Sequence, residues 1–234
     1  MNNFSSNFAL YRDISSRVMA ALAAEVGTCE VYSIDEAFFY VSPHSTVADI
    51  KALRQSIMQR TGIPVSIGIA PTKTLAKTAS KMAKKSDGVR WLDLEQWQTI
   101  APMYPLQDIW NVGGATARKL REIGVTTVAA FTALNPRQIE QQLGIAGRRL
   151  QDELQGSAVY TLGKNSGVLR QSLASTRSFA KSTNVKSALV SAITYHVEHI
   201  AEKLRAKKLA TTMLIIELRA SRHGDFSYRK GSVK

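Results

Sequence analysis

The chain has 234 residues, 44% hydrophobic and 21% charged, a balance near globular averages that excludes wholesale disorder, collagen-like repeats and coiled coil. No apolar run reaches the roughly 18 residues of a membrane span and the first ten residues lack the basic-then-apolar order of a signal peptide, so a cytoplasmic protein with no membrane partner is expected. The single cysteine, Cys29, excludes an intramolecular disulfide and a multi-cysteine zinc site, whereas 31 Lys plus Arg against 18 Asp plus Glu, net +13, point to a polyanionic partner.

Phe8, Tyr11, Ile14, Val18, Leu22 and Val26 recur every three or four residues and predict a helix ended by Gly27. Residues 29–42 are rich in β-branched and aromatic types and predict two strands flanking the acidic pair Asp35-Glu36. A helix follows on Val47, Ile50, Leu53 and Ile57, then a strand over residues 63–70, a third helix after Pro71 and a short edge strand at 89–94. This alternation predicts an α+β region, with one antiparallel sheet covered by helices on one face.

Pro102 and Pro105 mark a boundary. Residues 106–156 predict short helices broken at glycines and at Asn135-Pro136, with no strand, and residues 156–167 read as a linker. Beyond lie a strand at 169–179, a long helix through Leu189, Ile193, Val197, Ile200 and Leu204, a strand at 211–220, a turn at His223-Gly224-Asp225 and a last strand at 226–234. The expected domains are 1–101, 102–160, a linker at 161–170, and 171–234, the last an incomplete β-α-β-β unit whose single helix leaves a sheet face uncovered. Charge follows this division: residues 1–101 carry net +2, 102–170 net +3 and 171–234 net +8.

Three elements have the residue types for chemistry. Asp35 and Glu36 would be costly inside a sheet unless paired or metal-bound, and at a hairpin end two carboxylates suit Mg²⁺, which takes hard oxygen ligands; a solvated turn is the plainer reading. Lys73, Lys77, Lys81 and Lys84 line one face of the third helix as an unpaired stripe, either solvated or suited to phosphates. The Val112-Gly113-Gly114-Ala115 turn between helices leaves backbone amides outward, a way to hold a DNA phosphate without reading bases.

Together these segments resemble Y-family translesion DNA polymerases. Tyr32-Ser33-Ile34-Asp35-Glu36-Ala37-Phe38 is similar to their palm motif. The segment Phe4-Ser5-Ser6-Asn7-Phe8 resembles the UmuC branch, and Gly68-Ile69-Ala70, Lys73-Thr74-Leu75-Ala76-Lys77, Met82-Ala83-Lys84, Asp108-Ile109-Trp110 and Ala201-Glu202-Lys203-Leu204-Arg205 continue the match in order. The resemblance implies a partial palm, an all-helical thumb with a helix-hairpin-helix, and a basic little finger. It makes Asp35 and Glu36 catalytic ligands of Mg²⁺ and Lys84 a contact to the incoming dNTP. Val112, Gly113, Gly114 and Ala115, with Arg177 and Lys181, would contact damaged primer-template DNA. It further implies UmuD-type accessory subunits, a recombinase filament and a sliding clamp as partners, in SOS-linked DNA repair.

Family members carry a first catalytic aspartate, a steric gate and triphosphate-gripping fingers ahead of the segment that aligns with Met1, and further elements after the aligned end. The expectation is therefore a truncated form with weak or no independent catalysis. Two alternatives are a DNA-binding module with a vestigial palm and a scaffold for polymerase partners. Asn111 stands where the hairpin usually has its first glycine, a change that asparagine's tolerance of positive φ makes mild.

Overall fold

The Asn7 side chain accepts the Leu10 N–H and starts helix α1 (Phe8–Val26), which Gly27 ends as expected. The computed structural model describes residues 6–163, 172–219 and 228–233. They fall into two units, Met1–Ser166 and Gly167–Lys234, taken here separately.

In the first unit, β1 (Cys29–Val31) and β2 (Ala37–Phe39) form an antiparallel hairpin around the acidic pair. Helix α2 (Val47–Thr61) starts at a capping box in which Thr46 and Asp49 satisfy each other's backbone N–H groups. Then come β3 (Ile67–Ile69), α3 (Lys73–Ala83) and β4 (Val89–Trp91). The expected single antiparallel sheet is replaced by two separate ladders, β1 with β2 and β3 with β4, the second parallel. The intervening α3 is the cause: it carries the chain back over β3, so β4 must re-enter in the same direction. The strand expected over residues 63–70 shrinks to three residues, because Pro64 has no N–H and the Val65 carbonyl accepts from Arg54 Nε at 2.8 Å.

β3 and α3 meet at Gly68, where a Cβ would run into Ser80 N and Ala76 O of the helix backbone. With no side chain there, α3 presses its buried face, Thr74, Leu75, Thr78, Ala79 and Ala83, inward. Leu75 and Ala79 enter an apolar core that runs through Leu92, Trp97, Leu106, Val128, Phe131 and Leu154. That core crosses the proline boundary without interruption. Its further walls are α4 (Leu94–Ile100), α5 (Gly114–Glu122), α6 (Val128–Thr132) and α7 (Pro136–Leu154), the last kinked at Gly144, φ 69°. Helix α4, absent from the sequence reading, is held by buried Trp97, whose indole N–H donates to Leu154 O at 2.9 Å. Cys29 is buried, and desolvation pushes its thiol pKa up, as for an inert core residue.

Two polar contacts fasten α3 at its start. Thr72 caps it, accepting the Leu75 N–H and donating to Glu153 O. The fully buried Glu153 carboxylate accepts from the Thr74 N–H at 3.0 Å and, with its other oxygen, from Val159 and Tyr160 N–H at 2.8 and 3.0 Å. An anion at a helix N-terminus is favoured by the peptide dipoles and by charge-assisted hydrogen bonds. Between Thr72 and Thr74, at the first position of α3, Lys73 Nζ meets Glu30 of β1 at 2.7 Å. Burial alone would raise the Glu30 pKa, but the Lys73 hydrogen bond, the Gly163 N–H and the Lys73 charge outweigh it and hold the carboxyl below its ordinary value.

The second unit contains α8 (Lys186–Ala206) and an antiparallel pair, β5 (Leu214–Arg219) with β6 (Tyr228–Val233). The turn at His223-Gly224-Asp225 lies outside the described residues, as does part of the linker. Of the strand expected at 169–179, residues 172–179 are described and join no ladder among the described residues. Among the described residues no helix is long and apolar enough to cross a membrane.

Gly68→Ala should lose at least about 2 kcal/mol of stability by urea unfolding, since neither β3 nor α3 can yield backbone to a methyl. For Glu30 the folded pKa is depressed, so its contribution is present above the ordinary carboxyl pKa and lost as pH falls through the folded value. Glu30→Gln should therefore cost about 1–2 kcal/mol at pH 7, and the gap to the wild type should close as the titration is taken down to pH 3.

Candidate functional site

The acidic pair sits at the end of the β1–β2 hairpin. Val31 pairs with Ala37, and the chain between them closes on Glu36 O, which accepts from both Tyr32 and Ser33 N–H at 2.9 and 3.1 Å. Two carboxylates on a tight turn escape the face-to-face alternation of a strand. Ser33 Oγ donates to Asp35 Oδ1 at 2.6 Å, and Glu36 Oε2 lies 2.7 Å from Lys77 Nζ. Glu36 is thus brought against the lysine-bearing helix, with Asp35 beside it on the turn.

The stripe on α3 is not unpaired. Lys73 binds Glu30, Lys77 binds Glu36 and Lys81 binds Asp108, at 2.7, 2.7 and 2.8 Å. The repulsion expected among four lysines is offset by one acid for each of the first three. Lys84, the C-cap residue, is exposed and makes no ion pair among the described residues. It lies two turns, about 10 Å, along α3 from Lys77.

An aromatic group that sequence reasoning missed encloses this end of α3. Trp110 packs on Tyr32, Phe38 and Tyr160 with ring centroids 5.2, 5.8 and 5.6 Å apart, and its indole N–H donates to Tyr32 Oη at 3.2 Å. Lys77 Nζ is 4.9 Å from the Tyr32 ring and 5.2 Å from that of Trp110, and Lys73 Nζ is 5.0 Å from Phe38. Ammonium groups at these distances are attracted by the ring faces. The four rings come from three stretches of chain, the β1–β2 hairpin, Trp110 and Tyr160, so the only sequence signal was the presence of Tyr32, Phe38 and Trp110 inside the motifs already noted.

Asp108, held by Lys81, leads into the glycine turn. Asn111 takes φ 68°, the left-handed conformation its side chain tolerates. Val112 is buried, Gly113 caps α5 without a side-chain hydrogen bond, and Gly113, Gly114 and Ala115 are exposed. The Gly114, Ala115 and Thr116 N–H groups have no acceptor among the described residues, as the first turn of a helix requires. Arg177 and Lys181 belong to the second unit, both exposed ahead of α8.

The donor set of the acidic turn suits a hard divalent ion. Asp35 Oδ2 and Glu36 Oε1 make no hydrogen bond among the described residues, and both side chains reach solvent, so water can complete a coordination shell. No group of three His, Cys, Asp or Glu with metal-site geometry occurs among the described residues.

The model of the impB/mucB/samB family matches residues 2–81, and that of the same family's C-terminal domain matches residues 170–234. Protein SamB of Salmonella typhimurium is 33% identical over 215 residues, covering 88% of this chain and 50% of SamB. Protein UmuC of Salmonella typhimurium strain LT2 is 32% identical over 213 residues, covering 87% and 50%. The chain spans about half the length of the curated relatives it matches. A solved structure described as a Y-family DNA polymerase chimera shares the fold, with TM-score 0.72 and 18% identity over 97% of this chain and 65% of its own. With two models of one family matched at both ends and such relatives along most of its length, the chain belongs to the impB/mucB/samB family, the UmuC-like branch of the Y-family polymerases.

Proposed function

We propose that this chain takes part in error-prone, template-directed nucleotidyl transfer past damaged bases, as a UmuC-like component of the SOS response. The observation that carries the reading is the acidic turn seated against the lysine face of α3, with Glu36 and Lys77 2.7 Å apart, in a chain of this family. Asp35 and Glu36 would hold Mg²⁺, which, when bound, draws the reacting oxygens together and neutralises charge that builds on them. Lys84, which makes no ion pair among the described residues, is the lysine of the α3 stripe left to receive the triphosphate of an incoming dNTP. The open amides of Gly114 and Ala115, with Val112 and Gly113 shaping the turn, take a phosphate of the primer-template duplex. Arg177 and Lys181 add phosphate contacts, in keeping with the net +8 of residues 171–234.

On this reading the chain is cytoplasmic and depends on others for full activity. Two carboxylates on one turn supply only part of the ligand charge that two-metal transfer uses, so independent polymerisation is weak or nil. UmuD-type subunits, a recombinase filament and a sliding clamp are the partners this reading proposes.

Primer extension on an abasic template tests the proposal. Any extension by the purified chain should need Mg²⁺ and vanish in Asp35→Ala; rapid extension by the chain alone would overturn the dependence on other components. Lys84→Ala should weaken dNTP binding roughly tenfold or more, the loss of a charge-assisted hydrogen bond. If Asp35→Ala and removal of Mg²⁺ leave every measured property unchanged, and salt-sensitive duplex binding is all that remains, the chain is a binding module rather than a polymerase component.

A further inference from the structure

Lys77 is the residue of the site that the proposed chemistry leaves without a task. Its ammonium touches Glu36 Oε2 at 2.7 Å and lies over the Tyr32 and Trp110 rings at 4.9 and 5.2 Å. It is 22% exposed, while Glu36 is 39% exposed. The neighbours one turn before and after, Lys73 and Lys81, have their own acids in Glu30 and Asp108, so neither replaces it. Mg²⁺ bonds carboxylate oxygen at about 2.1 Å, which would put an ion on Oε2 within about 5 Å of the ammonium, a like-charge contact in a partly desolvated corner.

We propose that Lys77 is the resident counter-ion of the acidic turn, and that a divalent cation loads by displacing it from Glu36. The two aromatic faces keep the released ammonium close by, so it is not lost to solvent. Because Lys77 and Lys84 share one face of α3, an arriving polyphosphate would accept the ammonium that the metal expels. Metal entry and anion entry are then coupled through a single side chain. This inference rests on the reading of Asp35 and Glu36 as metal ligands.

The test uses the full chain and Mn²⁺ alone, titrated by electron paramagnetic resonance at low ionic strength. Lys77→Met, which keeps the stem and removes the charge, should bind Mn²⁺ at least fivefold tighter than the wild type, while Lys77→Arg should stay within twofold of it. Equal or weaker binding by Lys77→Met overturns the proposal. In the unsubstituted chain, Mg²⁺ titration should shift the Lys77 Cε resonance and leave that of Lys73 in place; a Lys77 resonance unmoved at saturation overturns it too. Glu36→Gln separates the two levels of the argument. If it binds Mn²⁺ as the wild type does, the acidic-turn reading fails and the counter-ion proposal with it; if it loses Mn²⁺ while Lys77→Met gains nothing, only the proposal fails.

Discussion

Contact between β3 and α3 at Gly68 sets the position of the lysine face of α3. A helix pressed that closely on a strand has no freedom to rotate, so its outward residues occupy fixed azimuths. The apolar half of α3 goes to the core and the basic half faces β1, the acidic turn and the segment before α5. Each acid that answers a lysine comes from a different element, so α3 acts as the strip to which the β1–β2 hairpin and the glycine turn are both fastened. Buried Glu153 does the equivalent at the N-terminal end of the helix, tying α7 and the 159–160 segment to the Thr74 amide.

Within that frame, the three ion pairs on α3 are graded by exposure. Lys73 and Glu30 are the most enclosed of them, at 11% and 23% exposed, and Lys81 and Asp108 the least, at 45% and 38%. Enclosed pairs are costly to break and hold structure; open ones exchange readily with water and salt. Glu36 and Lys77 lie between, enclosed enough to be ordered and open enough to change partner.

Local patterns announced the local structure. Paired strands around Asp35-Glu36, the stop at Gly27 and the positive φ of Asn111 all follow from residue type and near neighbours. What the pattern concealed is long-range: Lys73 and its Glu30 are 43 residues apart in the chain, and Thr74 and Glu153 are 79. A row of lysines looks the same in sequence whether water or carboxylates face it. The parallel ladder of β3 and β4 was hidden for a related reason, since strand direction depends on where the crossover helix lands. Helix α4 was too short to show a period and rests on one buried residue, Trp97.

The matched charges on α3 bear on how the protein meets a polyanion. Ammonium groups already neutralised by carboxylates contribute little to the release of condensed counterions, the main entropic source of nucleic-acid affinity. On the proposed reading, the ionic-strength dependence of duplex binding would draw mainly on the cations of residues 171–234, where basic residues outnumber acidic ones by eight. On that reading, adhesion and chemistry would draw on largely separate sets of lysines, and mutation could retune one while sparing the other.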